Sequence, residues 1–208
     1  MAAGTFQFTV GSGTHQHTYI YTRGGTSGHV PYVLEGEHLE ASYLANFNNG
    51  GAAVSAATAN SHLVQVMAGS ALRVYIRRIE VYQAAMATTA TVANIGVVRL
   101  TTAGTGGTAQ AVSALDPADA AAGATYMTLP SSKGTESNFI WFGTAYYMQT
   151  VGASAQLNQP ILAVDFDRPR SKAAVIAAGT ANGFALKQIT AVAAATVWVN
   201  VWLDELNF

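Results

Sequence analysis

From Thr196 to Leu206 the chain reads TVWVNVWLDEL, with Val197, Val199, Val201 and Leu203 in one phase and Trp198, Asn200, Trp202 and Asp204 in the other. A period of two belongs to a strand with one face in a core. No apolar stripe of period 3.6 and comparable length occurs anywhere in the chain, so the fold is expected to be all-β. A second run, Leu72 to Tyr82, keeps Leu72, Val74 and Ile76 in one phase and then slips, so that Ile79 and Val81 fall in the other. A β-bulge at Arg77-Arg78 would return both halves to the same face and bend the strand between packed sheets. Shorter runs lie at Leu63–Met67, Asn94–Leu100, Asn138–Thr144, Ile161–Phe166, Ala173–Ala177 and Phe184–Ile189. About eight strands follow Ser61, the number of a jelly roll, and the expected fold is a jelly-roll-like antiparallel sandwich. The one helical candidate is a single turn at Ala118–Ala124, after Asp116-Pro117.

The first sixty residues differ in texture. Two short aromatic runs, Thr5–Val10 and His17–Thr22, are set among Gly11, Gly13, Gly24, Gly25 and Gly28, and Asn48-Asn49-Gly50-Gly51 opens a stretch of small residues. So few anchors predict an extended N-terminal arm with short strands over residues 1–60 and the sandwich over 61–208. The arm aromatics Phe6, Phe8, Tyr19, Tyr21, Tyr32 and Tyr43 then need a neighbouring surface, and they are the expected assembly contacts.

Only 10% of the residues are charged, with Lys+Arg 10 against Asp+Glu 11, where soluble domains carry about 25%. The remaining surface is Thr, Ser, Asn, Gln, Gly and Ala, small neutral groups that lose little entropy on burial and suit close protein-protein contact. A net charge of -1 gives no global attraction to nucleic acid or to an anionic membrane, and neither is expected as a partner. The absence of cysteine excludes disulfides and thiolate metal sites. Met1–Val10 has neither the charged start nor the apolar core of a signal peptide, and Ile189–Leu203 is too short and too interrupted to span a bilayer, so synthesis in the cytoplasm is expected.

The order Leu63-Val64-Gln65-Val66, then LRVYIRRIEVYQ from Leu72 to Gln83, then Gly96-Val97-Val98-Arg99-Leu100 resembles that of jelly-roll phage virion proteins, capsid decoration or cement proteins above all. The likeness continues through the loop Thr102–Thr108, the turn Leu115-Asp116-Pro117-Ala118-Asp119 and the closing Trp198-Val199-Asn200-Val201-Trp202, and it covers about the last 150 residues, the size of one sandwich domain. The resemblance implies a non-enzymatic structural protein, located in the virion after assembly in the host cytoplasm. It further implies a homo-oligomer, a trimer, that binds the major capsid protein or another virion protein and stabilises an icosahedral shell. Two alternatives stand beside it: a major shell or tail protein, and a carbohydrate-binding module using Trp141, Trp198 and Trp202 as a stacking platform.

Candidate chemistry is sparse. His15 and His17 have the spacing of two ligands on one strand face, with no third ligand nearby, and read as plain surface or interface histidines. Asp165 and Asp167 share a strand end, but Arg168 and Arg170 follow at once and ion pairing accounts for them. The Gly104–Gly107 loop lacks the lysine and following helix of a phosphate-binding loop. Glu80 is expected to pair with Arg78 or Arg99. Arg73, Tyr75, Arg77 and Arg78 form a basic and aromatic patch on one strand, expected to face an acidic protein surface. No catalytic set, cofactor site or metal site is expected.

Overall fold

The computed structural model describes residues 5–10, 14–23, 26–31, 41–47, 53–149, 159–166 and 174–206. The chain forms two compact units, Met1–Leu39 and Glu40–Phe208. In the first, β1 (Thr5–Val10), β2 (Thr14–Arg23) and β3 (Thr26–Pro31) form an antiparallel sheet with β2 in the middle. Both short aromatic runs of the sequence therefore lie on strands, β1 and β2.

The second unit contains β4 (Ala41–Phe47), β5 (Val54–Ser55), β6 (Ser61–Met67), β7 (Arg73–Ala85), β8 (Thr91–Leu100), β9 (Thr108–Ala109) and β10 (Ser113–Ala114). It continues with β11 (Thr125–Thr128), β12 (Glu136–Tyr147), β13 (Leu162–Asp165), β14 (Ala174–Ile176), β15 (Gly183–Gln188) and β16 (Thr196–Leu206). One sheet has the order β10-β4-β16-β7-β13, with β14 also on β7 and β5 on β16; the other runs β12-β8-β15-β6-β11-β9. β13 pairs with Arg78–Val81 and β14 with Val74–Ile76, so the two are halves of one row. Counted in that way, eight main strands run 1-8-3-6 in one sheet and 2-7-4-5 in the other, the doubled Greek key of a jelly roll.

The inner faces follow from alternation. On β16, Val197, Val199, Val201 and Leu203 are all buried, while Trp198 on the opposite face is 42% exposed. They meet Phe47, Ile76 and Ile79 from their own sheet and Leu63, Ile95, Tyr147, Phe184 and Leu186 from the other in one core. Each such side chain contributes roughly 1.5–3 kcal/mol by leaving water. The phase slip in β7 is a bulge: Trp202 lies opposite Arg78 and Leu203 opposite Ile76, which leaves Arg77 as the extra residue. Ile76 and Ile79 are both fully buried as a result.

Three expectations change. The compact unit begins at Glu40, and β4, which falls in the segment read as an arm, is an inner strand bonded to β16 along its whole length. Its small and polar flanks hide it in the sequence, but Tyr43, Ala45 and Phe47 alternate into the core. Tyr43 is accordingly a core residue and not an arm contact. The runs at Ile161–Phe166 and Ala173–Ala177, read as two strands, share one position, and β4 is the remaining main strand. The Ala118–Ala124 stretch forms no helix; Asp116 turns the chain by accepting from the Ala118 amide at 2.8 Å, and a few alanines do not offset helix nucleation. Among the described residues no helix is long and apolar enough to cross a membrane.

The connection between β8 and β12 carries β9, β10 and β11 and contributes to both sheets. Glu205 anchors it from the end of β16. Its carboxylate, 3% exposed, accepts from the backbone amides of Gly123 at 2.7 Å and Ala124 at 2.9 Å. Near the start of the same segment, Gln65 Oε1 accepts from the Gly104 amide at 3.2 Å, and Thr105 bridges to Ser132, so the glycine-rich loop is a turn folded onto the sheet.

Candidate functional site

Outward-facing residues of β4, β7, β13 and β16 line a cleft of about 500 Å³ that includes Arg77, Arg78, Glu80, Asp165, Trp202 and Asp204. The bulge puts Arg77 and Arg78 side by side. Arg77 Nε donates to Asp204, which also accepts from Ser42 Oγ at 2.8 Å. Arg78 pairs with Glu80 at 2.6 Å, and the second oxygen of Glu80 accepts from the Tyr82 hydroxyl at 2.7 Å. That hydrogen bond, with burial and the nearby negative charge, raises the Tyr82 pKa. The two buried carboxylates are thus committed to partners on the sheet, and Glu80 takes Arg78, one of the two arginines expected for it. Arg99 instead donates to the Val175 carbonyl at 2.7 Å.

The expected basic patch is therefore partly neutralised within its own sheet. Arg73 is exposed, Tyr75 lies half-buried opposite Asp204 and Val175, and Arg77 and Arg78 face carboxylates. Trp198 and Trp202 do share one outward face, whereas Trp141 stands on β12 in the other sheet and packs against the core, so the three tryptophans do not form one platform. His15 and His17 lie on β2 opposite Thr9 and Gln7. Phe6, Phe8, Tyr19 and Tyr21 lie on β1 and β2, while Tyr32, Asp167, Arg168 and Arg170 are outside the described residues.

A different surface carries a cluster of exposed apolar groups. On β8 and β12, Val92 is 61% exposed, Phe142 55%, Tyr146 53% and Phe139 46%. The Phe139 and Phe142 rings meet edge to face at 5.6 Å, a favourable aromatic geometry. Phe139 lies across Gly96, where an added Cβ would come within 2.6 Å of the ring, so glycine at that position lets the ring lie flat on the sheet. Lys187 caps the same ring at 5.9 Å. Sequence reasoning placed a strand here without singling out these residues. Gly143, Ala145 and Tyr147 alternate with Phe142, Thr144 and Tyr146, both rows are uncharged, and periodicity cannot tell which of them faces water.

Comparison with known proteins finds no match. No family model fits the chain, and no curated protein and no solved structure is significantly similar to it.

Beside the aromatic row, Glu136 gathers three cationic or basic groups: Lys187 at 2.5 Å, His62 Nε2 at 3.1 Å and Lys133 at 3.2 Å. Burial pushes the Glu136 carboxyl up, but hydrogen bonds from Lys187, His62 and Lys133 outweigh it and bring the pKa down to about 2. His62 is fully buried, its Nδ1 has no hydrogen-bond partner, and burial lowers its pKa against the opposing pull of Glu136. Both groups destabilise the fold in acid. The unfolded chain takes up the His62 proton near the ordinary value of about 6.5, which the native state resists. It protonates Glu136 near 4.5, whereas the native state holds out to about 2. The unfolding temperature is therefore expected to fall as the pH drops below about 6.5, through His62, with a second fall added below about pH 4.5, through Glu136. In Glu136→Gln the second fall should be lost, and a wild-type profile flat from pH 7 to pH 3 would contradict this account.

Proposed function

We propose that this chain is a non-enzymatic structural protein of a virus particle, of the decoration or cement kind, which oligomerises and stabilises a phage head. The observation that carries the reading is a jelly-roll sandwich with an uncharged aromatic row, Phe139, Phe142 and Tyr146, exposed on one outer sheet face. Such a row suits burial against protein more than a free existence in water. The scarcity of charge over the whole chain points the same way, as does the strand-and-loop order that resembles capsid decoration proteins. The partner is then the major capsid protein or another virion protein, and the oligomer a trimer by the same resemblance. The work done is surface burial and neutral packing, without bond chemistry.

The test is to remove the chain from the particles that contain it. Heads are expected to assemble without it and to break at a lower temperature, with the purified chain restoring their stability when added back. Failure of heads to form would favour the alternative of a major shell or tail protein. Heads of unchanged stability would end the decoration reading. A second reading, a carbohydrate-binding module, has one observation in its favour: Trp198 and Trp202 lie on one outward face with Trp198 42% exposed. Quenching of tryptophan emission by glycans would support that reading, and none is expected on the structural one.

A further inference from the structure

We infer that the free edge of β12 is a contact between two copies of this chain, joined antiparallel about a two-fold axis through Thr144. β12 ends its sheet, bonded to β8 on one side and to no other described strand on the opposite side. Proteins normally protect such an edge with charge, proline or a bulge, because its free amides and carbonyls recruit any other strand. Here the bulges lie before Trp141, and Trp141 to Tyr147 run in unbroken register with Val97 to Thr91. No Asp, Glu, Lys or Arg occurs between Glu136 and Asp165. Among the described residues the regular part of the edge is thus unpaired and uncharged.

The occupant follows from the pattern. Along this stretch the exposed side chains are Phe142, Thr144 and Tyr146, separated by Gly143 and Ala145. Aromatic, threonine, aromatic reads alike in both directions. A second copy turned end for end therefore sets Phe142 against Tyr146 twice and Thr144 against its own mate, with Gly143 beside Ala145 and room for close approach. Cross-strand aromatic pairs are among the more stabilising on a sheet. Pairing sets Phe142 and Tyr146, each about half exposed, beside their mates and covers part of roughly 200 Å² of exposed aromatic surface per copy. The seven paired residues add the backbone edge that β8 leaves uncovered, so the contact is of the small class and rests on backbone pairing as much as on side-chain area. A two-fold contact alone closes a dimer, and combined with a three-fold contact elsewhere it links trimers into a layer. The inference does not depend on which particle, if any, contains the chain.

Light scattering of the purified full chain tests it. The wild type is expected at an even multiple of the chain mass. Thr144→Lys and Thr144→Glu each place two like charges face to face on the axis, and each should weaken the association at least tenfold and halve the mass at a fixed concentration. Because Thr144 is exposed, both should keep the wild-type circular dichroism and, at dilutions where the wild type is itself dissociated, its unfolding temperature. Mixing the two variants sets lysine against glutamate on the axis and should restore the mass with one copy of each. A wild type of single or odd multiplicity, an unchanged mass in either variant, or a mixture that stays dissociated would overturn the inference. A Thr144→Lys chain that keeps its mass but no longer binds heads would assign the row to another virion protein instead.

Discussion

A chain that begins at Glu40 is expected to fold as the complete sandwich, and a chain that begins at Ser61 is expected not to fold. The difference is β4 and β5. β4 is bonded to β16 from Ala41–Glu205 to Phe47–Val199, and its loss uncovers one side of β16 and detaches β10. Tyr43, Phe47, Val54 and Ala56 leave the core with it, all at 3% exposure or less. Truncation of a single buried aromatic costs about 3–5 kcal/mol, so the two aromatics together account for about 6–10 kcal/mol. A domain of this kind has about 5–15 kcal/mol in total. The segment also supplies the Ser42 hydroxyl to Asp204 and the Ser42 carbonyl to the Leu115 amide, so both the cleft and the β8–β12 connection lose a support. Far-UV circular dichroism with thermal unfolding decides the matter: a cooperative transition in the chain beginning at Ser61 would show that β4 is dispensable.

Replacement of Glu205 by alanine is expected to destabilise the sandwich by about 3 kcal/mol and to lower its unfolding temperature by about 10 °C. The carboxylate is nearly enclosed and accepts from two backbone amides, so its removal leaves a buried donor at Ala124 and a part-buried one at Gly123 without that partner. Each such donor costs about 1–3 kcal/mol. Glutamine keeps one acceptor but turns an amide N–H toward the other donor, and it should recover only part of the loss. Hydrogen exchange locates the damage: amides of β11, next along the chain from Gly123 and Ala124, should lose protection before those of β15. Equal stability of Glu205→Ala and the wild type would mean that the loop holds itself.

Several features were legible from residue order because they depend on local periodicity. The faces of β16 follow from Val197, Val199, Val201 and Leu203, and the bulge in β7 follows from the phase change at Arg77-Arg78. In both, apolar and polar residues alternate with enough contrast that only one face can enter the core. The pairing of Arg78 with Glu80 was visible for a similar reason, since residues two apart on a strand share a face.

Where that contrast fails, long-range pairing decided the outcome. β4 carries Ser42, Asn46 and two alanines among its core residues and looks like linker until β16 is laid beside it. β13 and β14 look like two strands until both are found on β7. On β12, both rows are uncharged and partly aromatic, and only packing against the opposite sheet selects Ala145 and Tyr147 for the interior and leaves Phe142 and Tyr146 outside. The sequence alone therefore determined the class of the fold, the inward faces of its best-patterned strands and the poverty of charge on its surface. The tertiary structure determined which strands are neighbours, and with them the Glu136 cluster and the aromatic row: His62, Lys187 and Val92 reach β12 only through pairing of strands distant along the chain, and packing against the opposite sheet selects which row of β12 faces out.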